Sequence, residues 1–267
     1  MFEYDFMRNA FAAATVVAIV AGIVGYFLVL RGQTFAGHAL AHVGFTGATG
    51  AILFGLSPLA GLVGFTLLTG VGMGLFGEKL AHRDVAIGMM LSLALGLGLL
   101  FLHFYTAFAT QATTLLFGNV LAVDLGTVWT LLALGSVSLG ILAIISRPLL
   151  FATLQPEVAE AKGVSLRLYS VLFLAIVALT TAECAQIVGV LLVFALMVGP
   201  AAAAQRLTSA VGTGVLLSGI LALLEAWSGI ALAYYTDWPS SFWITALSGA
   251  VYLLAALPQA RRVPLSA

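Results

Sequence analysis

Long apolar stretches, separated by single charged residues or short charged segments, run through this chain. Each stretch is long enough for one membrane-spanning helix of roughly 20 residues, or for two. The longest must fold back on itself, and Phe-Gly-Leu-Ser-Pro at 54–58 supplies the break, because Gly is permissive and Pro lacks a donor. The pattern predicts helices near 9–30, 35–55, 58–77, 85–103, 125–146, 166–184, 187–204, 209–235 and 239–257.

The segment Phe104–Asp124 departs from this pattern. Its polar residues suit a loop or a short re-entrant piece better than a helix facing lipid. Those residues are Thr106, Thr110, Gln111, Thr113 and Thr114. The sequence leaves both alternatives open.

Composition supports a membrane protein, since 62% of the residues are hydrophobic and 7% are charged. Soluble domains are roughly 45–50% apolar and about 25% charged. We expect an all-α polytopic protein with about nine spanning helices, surrounded by lipid, forming a single membrane domain over residues 1–267. Lys plus Arg and Asp plus Glu each number 10, so no charge excess indicates a nucleic-acid partner. The one cysteine, Cys184, excludes an intrachain disulfide.

The charges also predict an orientation. With nine spans and a cytosolic C-terminus, nine of the ten basic residues lie inside and only Arg8 lies outside, which is a strong positive-inside signal. A signal peptide is the alternative for the first segment, but its acidic start and long apolar run favour a retained helix. Glu183 is then expected near the outer end of its helix, where it would mark the outer surface.

Several enzyme chemistries are excluded by missing patterns. Neither lysine follows a glycine, so the chain has no P-loop and cannot hydrolyse nucleotide by that route. No His-Glu-x-x-His or Gly-x-Ser-x-Gly pattern is present either. Gly72–Gly77 matches Gly-x-Gly-x-x-Gly, but it lies in an apolar run without a βαβ unit, and we regard the match as accidental. We expect no enzyme activity of the chain itself.

His38 and His42 are four residues apart in a predicted helix, so both imidazoles lie on one face. Two neutral imidazoles at this spacing can share a metal ion. The alternative is that both are hydrogen-bonded to neighbouring helices. His82, in a charged turn, and His103, near a helix end, are weaker candidates.

Glu225 lies midway along a predicted spanning helix, where a carboxylate is costly and indicates a functional site. Simple structural pairing or protonation is the alternative.

The longest inside connection contains a short helix with defined ends. Pro156 suits its first position, Glu157 its first turn, Lys162 its last turn, and Gly163 the position after its end. The helix is too short to span a bilayer, so it is either a docking element for a cytosolic partner or a capped connector.

Six segments in this order resemble the zinc, manganese and iron permease family of bacterial ABC importers, and the resemblance covers nearly the whole chain. They are Arg31 with Gly37–His42 and Gly47, then Asp84–Gly88, Leu116–Leu121, Gln155–Ala159, Val188–Ala202 and Tyr234–Pro239. The family usually has Asp at the position of His38 and at the position of Gln155. Glu225 matches no family feature.

The resemblance implies a permease that moves a divalent metal by alternating access and holds no permanent cofactor. Its partners would be cytosolic ATPase subunits, an extracytoplasmic metal-binding protein and a second copy of the chain. His38 and His42 would be metal ligands, with Glu225 as a third, and the coupling segment would be Gln155, Pro156, Glu157, Glu160, Lys162 and Gly163. A second imidazole in place of a carboxylate favours zinc over manganese as the transported ion.

Two other classes remain open at this point. An ion-coupled secondary transporter would use Glu225 as a proton relay and need no ATPase. An intramembrane metalloenzyme would use the same histidines, but no general base is evident beside them.

Overall fold

The computed structural model describes residues 3–75, 80–104, 116–190 and 192–260, and this part of the chain contains helices and no strands. The helices are α1 (Asp5–Leu30), α2 (Thr34–Leu53), α3 (Pro58–Leu75), α4 (Leu80–His103), α5 (Leu125–Leu154), α6 (Pro156–Ala161), α7 (Leu166–Val188), α8 (Val193–Leu207), α9 (Val211–Thr236) and α10 (Ser240–Ala260). All but the six-residue α6 correspond in order to the predicted long helices. The all-α fold class is therefore confirmed.

Seven of the described helices are long and apolar enough to cross a membrane by length and composition. They are α1, α3, α4, α5, α7, α9 and α10. The helix α8 is apolar but shorter, and α2 is rich in Gly, Ala, Thr and His. Nine spans is thus an approximate count, because α2 and α8 are not among the seven helices that meet these criteria.

Several predicted boundaries were wrong: α1 begins at Asp5 and α4 at Leu80, four and five residues before their predicted starts. α5 continues to Leu154, past the expected end at 146, because the exposed side chain of Arg147 does not interrupt a helix that is leaving the membrane. Pro148 is accommodated within the same helix. α7 continues to Val188 and α8 begins at Val193, because the break lies at Gly189, whose φ is +79°.

The helices form a central and a peripheral group. In α1 and α7, 67% and 72% of the spanning window is buried, against 17% in α4 and 22% in α10. α1 contacts α5, α7, α8 and α9, while α2 packs among α3, α4 and α7. Gly47 and Gly61 allow the backbones of α2 and α3 to approach closely, since a side chain at either position would meet the other helix.

The turn between α1 and α2 is tied to the ends of other helices. The Arg31 guanidinium donates to the Thr153 hydroxyl of α5 at 2.7 Å and lies 5.5 Å from the centre of the Phe173 ring of α7. Gln33 is buried, and its N–H donates to the Leu28 carbonyl at 3.0 Å. These contacts fix the point from which α2 begins.

Part of the segment Phe104–Asp124 falls outside the described residues, as do the side chain of His82 and residues Lys79, Arg261 and Arg262. In the described part, Val120–Ala122 form a 3-10 helix that contacts α1 and α7, and Val120 is buried. His103 is exposed at the last position of α4.

Candidate metal-binding site

The helix α2 is almost completely enclosed, apart from its ends and its two histidines. From Ala36 to Ala51, His38 and His42 are the only residues that are not buried. The residues around them are small or aliphatic, so α2 fits closely between its neighbours. The two imidazoles are therefore the polar groups that this helix presents to an accessible space.

The two imidazole rings contact each other. Their centroids are 4.7 Å apart and their planes are at 80°. This is the arrangement expected of side chains four residues apart on one helix face. The predicted pairing of His38 with His42 is thus present in the fold, and two imidazoles this close can approach one ion.

His38 also contacts Phe194 in the first turn of α8, with ring centroids 5.5 Å apart and planes at 86°. The Phe194 side chain is 40% exposed. Sequence reasoning missed this residue. No local signal identifies it, because the contact joins segments that are more than 150 residues apart.

Glu225 lies on α9 and is 3% exposed. Its carboxyl group lies beside Ser248 of α10, whose hydroxyl instead donates to the Ala195 carbonyl of α8 at 2.9 Å. Within the described residues, no three His, Cys, Asp or Glu side chains are grouped closely enough to hold a metal ion. The structure therefore brings the histidines together without Glu225, and its predicted role as third ligand stays a prediction.

Glu183 was expected to mark the outer surface, because it lies near a predicted helix end. The structure shows that it does not. It is fully buried where α7 packs on α1 and α5, next to Gly135 and Ser138. The expectation was wrong because α7 continues four residues past its predicted end at 184, to Val188. The absence of a side chain at Gly135 leaves room for the carboxyl group.

The short helix α6 connects α5 to α7, as the sequence predicted. Gln155 is at its N-cap position but makes no side-chain capping bond, and Gly163 ends the turn with φ +83°. Ala159 is buried against the bundle, whereas Glu157 and Glu160 are exposed. The Lys162 ammonium lies 5.7 Å from the centre of the Phe151 ring. α6 thus presents an acidic outer face that the bundle does not cover.

Long apolar helices, seven of which can cross a membrane by length and composition, are the architecture of a multi-pass membrane protein. The model of the ABC 3 transport family matches residues 3–259, and the chain belongs to that family. The resemblance to the metal-ion permeases of ABC importers is thereby confirmed.

Known proteins that are similar in sequence match this chain over most of its length. The manganese transport system membrane protein MntC of Halalkalibacterium halodurans is 29% identical over 256 residues, covering 96% of this chain and 88% of that protein. The manganese import system permease protein ScaB of Streptococcus parasanguinis is 30% identical over 233 residues, covering 87% and 83%. The structure of PsaBC from Streptococcus pneumoniae in complex with Fab superimposes with a TM-score of 0.87 at 27% identity, covering 99% of this chain and 96% of that one.

Proposed function

We propose that this permease carries zinc across the membrane and that His38 and His42 bind the ion on its way. The observation that carries the proposal is the enclosure of α2. Between Ala36 and Ala51, only the side chains of His38 and His42 are not buried. A polar side chain at membrane depth is unfavourable unless it has a partner, and a passing cation would be one.

The choice of ion rests on the chemistry of the pair. Imidazole is a good ligand for zinc, whereas manganese prefers oxygen ligands. The relatives MntC and ScaB are named as manganese transporters. This chain has His38 where the family usually has Asp, so its site offers two nitrogen donors and lacks that hard oxygen.

Two imidazoles leave a tetrahedral zinc ion short of ligands. Water, the second copy of the chain, or Glu225 after a rearrangement would complete the shell. Incomplete ligation suits a transport site, because an ion held as tightly as in a structural zinc site would not be released.

Alternating access would be driven by partner subunits. In this proposal, two copies of the chain form the pathway, cytosolic ATPase subunits dock on α6, and an extracytoplasmic metal-binding protein delivers the ion. α6 joins α5 to α7, so a displacement of α6 acts on both helices. α7 in turn leads through Gly189 to α8 and the Phe194–His38 contact.

The test is zinc uptake by the assembled transporter in liposomes, with ATP on the ATPase side and the metal-binding protein on the other. We expect His42→Ala and the His38→Ala, His42→Ala double variant to lose uptake while the ATPase still co-purifies. His103→Ala, an exposed histidine on α4, is the matched control and should transport normally.

Normal zinc uptake by the double variant would contradict the assignment. It would indicate that both histidines serve only in helix packing. Uptake by the chain alone, driven by an ion gradient, would favour the ion-coupled secondary transporter.

A further inference from the structure

Phe194 touches the proposed metal site without being able to ligate an ion. Its ring lies edge to face with His38, which in turn lies edge to face with His42, so three rings form a contiguous group. We propose that Phe194 is a specificity-determining residue that limits how many ligands an ion on the two histidines can take. This inference rests on the proposed function of the histidine pair.

Phe194 is carried on a segment that other helices hold in place. The Ser248 hydroxyl of α10 donates to the carbonyl of Ala195, the next residue along α8. At the inner end of α8, the Gln205 side-chain amide donates to the Tyr26 carbonyl of α1 at 3.0 Å. These bonds tie α8 to α10 near its start and to α1 near its end, so the Phe194 side chain starts from a defined position.

The position of the ring argues against a role in core packing alone. The ring packs on the imidazole of His38 and not only on apolar side chains, and it is 40% exposed. Because the ring contacts His38, it occupies volume beside that imidazole that water or a further ligand would otherwise take.

That loss of volume affects metals differently. Zinc is commonly bound by four ligands in a tetrahedral arrangement, and imidazoles can replace its bound water. Manganese favours six oxygen ligands and would need to keep several waters. An apolar ring next to His38 excludes such waters, and the apolar surroundings of a metal site control its solvent access. Phe194 therefore favours zinc.

The experiment compares Phe194→Ala and Phe194→Leu with wild type in the assembled transporter, measuring zinc and manganese uptake separately. We expect Phe194→Ala to raise manganese uptake relative to zinc uptake on the order of tenfold, the size of effect that changes around a metal's ligands produce. Phe194→Tyr keeps the ring and should keep the wild-type ratio. Phe54→Ala, an equally drastic truncation of an exposed phenylalanine just beyond α2, is the matched control and should leave the ratio unchanged.

Cobalt(II) provides a second readout, because tetrahedral cobalt absorbs visible light far more strongly than octahedral cobalt. Wild type should show the strong bands, and Phe194→Ala should show weaker bands of a higher-coordinate ion. Equal loss of zinc and manganese uptake with an unchanged cobalt spectrum would overturn the inference and make Phe194 a packing residue. If Phe194→Ala does not fold, Phe194→Leu carries the same comparison.

The two proposals fail separately. If the His38→Ala, His42→Ala double variant transports zinc normally and wild type shows no cobalt bands, the proposed function is wrong. If the double variant is inactive while the Phe194 variants keep the wild-type ratio, only the role of Phe194 is wrong.

Discussion

Gly118 and Gly189 meet backbone to backbone, although 70 residues separate them along the chain. Both have positive φ, +75° and +79°, in the region that favours glycine. Gly189 is the break between α7 and α8, and Gly118 belongs to the segment that leads into the 3-10 helix. This contact sets where α8 begins, and so where Phe194 meets His38.

We expect Gly189→Ala to destabilise the protein strongly. An alanine there would have to adopt φ +79° with ψ 157°, a conformation essentially restricted to glycine that costs about 1–3 kcal/mol. Its methyl group would also meet the backbone at Phe117 and Gly118, an overpacking cost of roughly 1–3 kcal/mol. The measurement is the unfolding temperature of the detergent-solubilised protein, which is monitored by size-exclusion chromatography of heated samples.

Gly55→Ala is the matched control, because Gly55 has φ +71° but no atom within 4 Å of an added side chain. It should carry the conformational cost alone. Equal destabilisation by the two variants would show that the contact with Gly118 contributes nothing.

The charge distribution predicts that Arg83 and Arg167 face the cytosol and Asp237 faces outside. Single cysteines at these positions, in a Cys184→Ser background, should react accordingly with an impermeant thiol reagent in intact cells. Cys184 is buried, so its replacement by the similarly sized serine removes background without exposing a surface. Labelling of position 83 from outside would overturn the orientation.

Helix positions were largely predictable, because a membrane demands about 20 apolar residues per span and charges interrupt such runs. The start of α3 at Pro58 was predicted from the Gly and Pro break at 54–58, and the end of α4 at His103 from the length of one span. The rule failed at Arg147 because a charge ends the apolar run without ending the helix. It failed at Glu183 for a related reason: a buried carboxyl group was interpreted as a surface marker.

Only part of the candidate site could be predicted. The pairing of His38 with His42 follows from the helical repeat, which is a local property. The contact of Phe194 with His38 and that of Gly118 with Gly189 depend on how distant segments pack, which no local pattern encodes. The separation of Glu225 from the histidines likewise depends on packing, since α9 lies against α1, α8 and α10 and not against α2 in the principal contacts of the described residues.

The outer face of α6 should control coupling to the ATPase. Replacing Glu157 and Glu160 with Lys reverses two exposed charges without touching buried Ala159, so the fold should be retained. We expect reduced metal-stimulated ATP hydrolysis by the assembled complex. Glu3→Lys makes the same kind of charge reversal at the far end of the bundle and is the control. Unchanged stimulation with the ATPase still bound would count against docking at α6.

Asp124 caps α5, accepting the Thr127 N–H at 3.0 Å. Hydrogen bonds from the hydroxyl and the N–H of Thr127 hold the pKa of Asp124 below its ordinary value of 3.8. A lowered pKa in the folded state gives a stabilisation that is present above the ordinary value and lost as the pH falls through the folded value. Asp124→Ala should therefore lower the unfolding temperature at neutral pH, and its deficit relative to wild type should shrink below about pH 3.8. A deficit that does not depend on pH would show that the ionised carboxylate is not the stabilising form.

His38→Asp should move transport from zinc towards manganese. The substitution replaces one nitrogen donor of the pair by a carboxylate, whose hard oxygen suits manganese, and leaves His42 in place. A tenfold change in the ratio of the two uptake rates corresponds to only about 1.4 kcal/mol of differential binding, which the exchange of one ligand can supply. The measurement is competitive uptake of the two metals by the assembled transporter in liposomes.

His38→Asn is the control, because asparagine has nearly the same shape as aspartate but no negative charge. It separates the effect of the ligand atom from the loss of the imidazole and of its contact with Phe194. We expect His38→Asn to lose zinc uptake without gaining manganese uptake. An unchanged ratio in His38→Asp, or an equal gain of manganese uptake in His38→Asn, would show that the side chain at position 38 does not select the ion through its ligand atom.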